Sequence, residues 1–277
     1  MIYMLLAMGF NVALTFALRF SEKQGGNVYG VLTFNYLCGA IIGLIQVGFR
    51  PLAPGEGLAM TAAMSLLNGA LYVSALYFMT KSTLINGAAL TSTFNRLGVV
   101  IPTLGSVLFF GEIPGTLQWL GLGLVLLSFV VLNGGEGGQG RGNLNLLLIL
   151  IFVLGGSTDL LSKFFTTYGN LAHENHYILY TFLAAGTMAV GLFLREGKPL
   201  RKKDVLLGLM VGIPNQLTSL LLLKAVPRLP AYFLFPAYAG GIILLVNLVG
   251  MALGERGNRH QYLATAIIFV ALILLNL

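Results

Sequence analysis

The chain has 277 residues, of which 57% are hydrophobic and only 9% charged, with a formal net charge of +7. A soluble domain carries roughly 25% charged residues, so a water-facing globule is excluded. The cations stand singly or in one short run between apolar stretches, which excludes the continuous basic face of a nucleic-acid binder, and the lone cysteine, Cys38, excludes a disulfide framework or a thiol–metal site.

A membrane-crossing helix takes roughly 20 mostly apolar residues. Spans are predicted at residues 2–18, 29–48, 58–79, 84–110 and 115–132. The chain begins Met1-Ile2-Tyr3-Met4, without the basic start of a cleaved signal peptide, so this is expected to be the start of a retained first span. Residues 133–143, NGGEGGQGRGN, form a flexible linker too polar to insert. Five more spans follow at 144–166, 176–194, 204–223, 230–252 and 260–277. Helices are expected throughout, because lipid-exposed backbone must satisfy its own hydrogen bonds. Barrel-type alternation over segments of about ten residues is missing.

The two sides of the linker are related at a constant offset of 143 residues: Lys81 meets Lys224, Ala88 meets Ala231, Gly111-Glu112 meets Gly254-Glu255 and Gln118 meets Gln261. Leu120 likewise meets Leu263, and Leu132-Asn133 meets Leu275-Asn276. The expected fold is therefore an all-α membrane protein of ten transmembrane helices in two five-helix repeats, 1–132 and 144–277. An odd number of spans per repeat inverts the second relative to the first, a recurring transporter architecture with the substrate site at midplane.

Counting lysines and arginines by side, eleven fall in the loop set that includes the run Arg195, Lys198, Arg201, Lys202, Lys203. Four fall on the other side, Lys163 among them, and Arg96 lies within a span. Positive-inside bias puts the basic run in the cytoplasm and both termini outside.

Arg96 sits about midway along the fourth span, after Thr91-Ser92-Thr93-Phe94-Asn95. An isolated charge there costs roughly 2.5–3.5 kcal/mol on insertion scales, which favours a cavity or a partner over snorkelling to a headgroup. Asp159, after Gly155-Gly156-Ser157-Thr158, is the one acid deep in a span. It is a candidate charge partner for Arg96 or a proton carrier, and the local alternative is an i,i+4 pair with Lys163. Gly212-Ile213-Pro214-Asn215-Gln216 places a proline where a freed carbonyl and the amides of Asn215 and Gln216 would line a cavity. Tyr232 and Tyr238 flank Pro236 in the ninth span, and Asn11, Thr15, Asn35 and Asn95 add polar groups in the first, second and fourth. For each uncharged member of this set, helix–helix hydrogen bonding is the competing role. The fifth and tenth spans have almost no interior polar residues and read as lipid-facing supports around a polar centre.

Glu112 and Glu255 each follow a glycine at a helix start, where an acid complements the dipole. His173, Glu174 and His176 read as loop residues with too few ligands around them for a metal. No H-E-x-x-H, paired intramembrane aspartates or intramembrane Ser–His set is present, so no enzyme and no cofactor are expected. No G-x-x-x-x-G-K-[ST] segment would provide ATP drive.

Phe110-Gly111-Glu112 with Gln118-Trp119-Leu120-Gly121, and Leu253-Gly254-Glu255 at the matching turn, resemble the EamA-type transporters of the drug/metabolite transporter superfamily. Asp159-Leu160-Leu161-Ser162-Lys163, Gly212-Ile213-Pro214-Asn215, Leu223-Lys224-Ala225 and Phe235-Pro236 are similar to stretches of a bacterial branch of that family. The resemblance implies a multi-pass protein of a bacterial-type inner membrane. It also implies alternating-access transport of small organic metabolites, through a cavity between spans 1–4 and 6–9. Family members usually keep their termini cytoplasmic, opposite to the charge count here. The expected partners are the lipid bilayer, a small-molecule substrate and, if Asp159 titrates, protons, with the protein acting as a monomer or homodimer. Competing functions are export of organic cations, resting on Asp159 and the aromatics, and a non-transporting membrane scaffold.

Overall fold

The computed structural model describes residues 1–86, 88–133, 146–252 and 259–277. The helices are α1 (Ile2–Lys23), α2 (Val28–Gln46), α3 (Leu58–Asn86), α4 (Ala88–Leu97), α5 (Val100–Phe110), α6 (Thr116–Asn133), α7 (Leu146–Tyr168), α8 (Glu174–Glu196), α9 (Lys202–Ala225), α10 (Ala231–Ala252) and α11 (Arg259–Asn276). Among the described residues eight helices are long and apolar enough to cross a membrane, and two shorter apolar ones cover Phe94–Phe110 and Thr116–Val131. The protein is an all-α, multi-pass helical bundle of the integral membrane kind. The linker, apart from the backbone of Asn133, and the Leu253-Gly254-Glu255 turn lie outside the described residues.

Residues 80–83, expected to join the third and fourth spans, are helical. Helix α3 continues through Lys81 to Asn86 because the polar run there holds no residue that breaks a helix. Thr80 and Thr83 fold their hydroxyls back onto the carbonyls of Leu76 and Met79, at 3.0 and 2.9 Å. The Lys81 ammonium lies over the Tyr77 ring, 4.5 Å from its centroid, which keeps its charge against a π-face.

The helices form two compact units, Met1–Val73 with Leu161–Pro227 and Ser74–Leu160 with Arg228–Leu277, and each draws on both sides of the linker. In the first, α2 packs on α8 and α9, and α1 packs on α9. Gly208 and Gly212, one turn apart on α9, meet α2 backbone to backbone. A Cβ on either would lie 2.7 Å from the carbonyl of Val31 or Asn35 respectively. Small residues at this spacing let helices approach where lipid supplies no hydrophobic drive.

In the second unit α6 packs on α11, and α10 packs on α5, α6 and α11. Glu112 complements a helix dipole, but on a different helix from the one expected: its carboxylate accepts the backbone N–H of Ala231, the first residue of α10, at 2.6 Å. Its own helix α6 opens at Thr116, preceded by the Gly115 N–H donating to the Gln118 side chain at 2.7 Å. Loss of a helix cap costs about 1 kcal/mol. Glu112→Ala is therefore expected to lower the thermal midpoint in detergent by a few degrees, with Glu112→Gln recovering part of it. Equal midpoints for all three proteins would deny Glu112 its capping role.

Candidate functional site

The fourth predicted span is interrupted. Helix α4 ends at Leu97, Gly98 and Val99 make a turn, and α5 begins at Val100. The cause is local. Pro102 has no N–H to give the carbonyl four residues back, which is that of Gly98, so that carbonyl accepts from Ile101 at 3.0 Å. The Gly98 and Val99 amides likewise donate to Asn95 and Arg96 at 3.2 and 3.3 Å, giving a tight 3-10-type join where a regular helix was expected. Val99 supplies no side-chain cap to the start of α5.

Helix α7 meets this join with Gly155-Gly156. A Cβ on Gly156 would stand 2.2 Å from the Gly98 carbonyl oxygen, and one on Gly98 would stand 3.0 Å from the Phe152 oxygen. The Asn95 amide oxygen lies 2.9 Å from where a Gly155 Cβ would be. Thr158 turns its hydroxyl onto the Gly155 carbonyl at 2.7 Å. Arg96, half-buried, follows Asn95 directly. Asp159, also half-buried, is three residues beyond Gly156, about 4.5 Å further along the α7 axis. Tyr232 and Tyr238 are half-buried on α10 either side of the buried Pro236. One unit thus holds a cation, a carboxylate, an amide, two phenols and a broken helix.

The remaining expected site residues lie in the other unit, and several are spent on one another. The Asn215 side-chain amide donates to Asn35, itself 3% exposed, at 3.0 Å. Gln216, fully buried, exchanges two amide hydrogen bonds with Gln46 at 2.7 and 3.3 Å. Helix α9 runs unbroken through Pro214, and the amides beyond it join α2 to α9. On α1, Thr15 donates to the carbonyl of Asn11 at 2.9 Å, and both residues are half-buried. Buried hydrogen-bonding capacity remains in this unit: the Asn68 side-chain oxygen and the Thr181 hydroxyl make no hydrogen bond among the described residues. Thr181 lies where α8 meets α3, since a Cβ on Gly69 would be 2.7 Å from its carbonyl.

The histidines are not loop residues. His173 is fully buried and His176 nearly so. Ring nitrogens of His173 reach the Pro54 carbonyl at 2.8 Å and the Thr61 hydroxyl at 3.1 Å. His176 reaches the Arg50 carbonyl at 3.0 Å, and the Tyr180 hydroxyl donates to Pro51 at 2.6 Å. Three side chains at i, i+3 and i+7 on one helical face thereby hold the α2–α3 loop through its own carbonyls, which have no secondary structure to satisfy them. The sequence signal for this was the apolar-spaced pattern His173, His176, Tyr180. Among the described residues no group of three or more His, Cys, Asp or Glu is arranged to hold a metal ion.

No family model matches the sequence, and no curated protein does. Among solved structures, one described only as the crystal structure of a protein aligns over 99% of this chain and 98% of its own, with a TM-score of 0.77 and 16% identity. At that identity the likeness shows a shared fold.

Proposed function

We propose that the protein is a secondary active transporter, an exporter of small organic metabolites related to the EamA-type drug/metabolite transporters of bacterial inner membranes. The observation that carries this reading is the interruption of α4–α5 at Gly98 and Val99, beside Arg96 and against the Gly155-Gly156 of α7. Discontinuous helices at mid-membrane are where transporters bind substrates and coupling ions, since the amino end of a half-helix favours an anionic group. Arg96 precedes the join, and its guanidinium favours a carboxylate or another anion. The 143-residue recurrence in the sequence supports two inverted repeats rocking about that site.

Asp159 is assigned the role of charge partner or proton carrier. The test is exchange in proteoliposomes loaded with a panel of carboxylates, neutral polar metabolites and organic cations. Exchange of carboxylates is expected; exchange of cations alone would move the anchor from Arg96 to Asp159, and no exchange by a folded protein would favour the scaffold reading. Asp159→Asn is expected to leave exchange intact while flattening its response to an imposed pH gradient. An unaltered response would remove Asp159 from coupling.

A further inference from the structure

One end of the first unit is strongly basic and the opposite end is only weakly charged. At the basic end, the α1–α2 turn meets the α8–α9 loop. Arg19, Lys23, Arg195, Lys198, Arg201, Lys202 and Lys203 stand there against Glu22, Glu196 and Asp204, a net charge of four positive. At the other end Arg50, Lys163 and Lys224 stand against Glu56 and Glu174, a net charge of one positive, with Lys224 and Glu174 paired at 2.7 Å.

Two of the three acids at the basic end are used internally. The Asp204 side chain has no exposure. It accepts two hydrogen bonds from Arg201 at 2.8 Å and one from the Asn27 backbone N–H at 2.8 Å. Glu196 accepts from Lys198 at 2.6 Å and from the Asn27 amide at 2.8 Å. Arg201 also donates to the Gly25 carbonyl at 3.1 Å, and Lys203 donates to that of Gln24. These bonds fix the α8–α9 loop onto the α1–α2 turn, so cations from two distant segments form one patch. Lys23, Arg195 and Lys202 are all exposed on it. Apolar side chains stand among them: Leu194, Leu200 and Leu206 are 71%, 51% and 67% exposed.

We infer that this end of the unit is a binding surface for the headgroups of anionic phospholipids in the surrounding leaflet. A fixed cationic patch with outward leucines matches a bilayer interface, where phosphates lie above acyl chains. A soluble anion would use the charge and leave the leucines in water. The inference is independent of whether the protein transports anything.

The experiment is native mass spectrometry of the full-length protein taken from bilayers of equal phosphatidylglycerol and phosphatidylcholine, counting the lipids that stay bound. The wild type is expected to retain phosphatidylglycerol preferentially. Arg195→Gln with Lys202→Gln should weaken retention by roughly fivefold per charge removed, Arg195→Lys with Lys202→Arg should preserve it, and Arg50→Gln at the weakly charged end should change nothing. Equal retention of the two lipids by the wild type, or unchanged retention in the double glutamine variant, overturns the assignment. Displacement of the lipid by millimolar glycerol phosphate also overturns it, in favour of a soluble anion. Should the double variant fail to fold, a salt titration of the wild type decides: retention must fall as ionic strength rises, and salt-insensitive retention sinks the proposal.

Discussion

Arg96→Ala is expected to abolish the proposed transport while the protein still inserts and folds. A charged side chain at the middle of a span costs roughly 2.5–3.5 kcal/mol to insert, so the alanine variant should enter the membrane at least as readily. What it removes is the cation beside the α4–α5 join. Truncating one partner of a buried charge pair costs about 2–5 kcal/mol, which corresponds to a loss of roughly 30-fold to several thousandfold in exchange at subsaturating substrate. Arg96→Lys keeps the charge but loses the planar fork that matches a carboxylate, and should fall between the two. Exchange in proteoliposomes, paired with a thermal midpoint in detergent, checks this. A folded Arg96→Ala protein that exchanges at the wild-type rate would take Arg96 out of the site.

Gly156→Val is expected to be among the most damaging substitutions in the second unit. A Cβ at Gly156 would stand 2.2 Å from the Gly98 carbonyl oxygen and 2.7 Å from the Ile101 Cβ, and the first of these is backbone. Neither atom can swing away as a flexible side chain would, so α4 must separate from α7 and lose the seat of Asn95 against Gly155. Overpacking of a tight contact costs about 1–3 kcal/mol, or on the order of 5 °C in the midpoint for a chain of this size. Gly123 on α6 is the control, because a Cβ there meets nothing within 4 Å. Equal midpoints for Gly156→Val and Gly123→Val would mean that α4 and α7 do not touch at the join. If instead the valine protein is merely less stable yet exchanges normally, the join is structural and carries no part of the site.

The break at Gly98 was not read from the sequence, where the fourth span was expected to be continuous and the freed carbonyl was expected at Pro214, through which α9 runs unbroken. Arg96 and Asp159 were legible, because a charge inside an apolar stretch is conspicuous without any structure. The roles of the uncharged polar residues were not. Asn215 and Gln216 stand next to a proline, as cavity liners would, yet their amides meet Asn35 and Gln46 on α2. Nothing local to either segment announces that meeting. Glu112 shows the same limit, because a residue after a glycine reads as a cap for the helix it precedes, and its carboxylate reached a helix more than a hundred residues away.

By itself the sequence determined the class of protein, the approximate spans and the charge bias. Each of these depends on apolar length or charge within a few neighbouring residues. Only the tertiary structure decided which polar groups satisfy one another, that His173 and His176 are buried clamps on the α2–α3 loop, and that the basic end gathers two segments into one surface. Hydrogen bonds and ion pairs act over about 3 Å, and their partners here lie 100 to 180 residues apart in the chain. Only the folded path brings them within that distance.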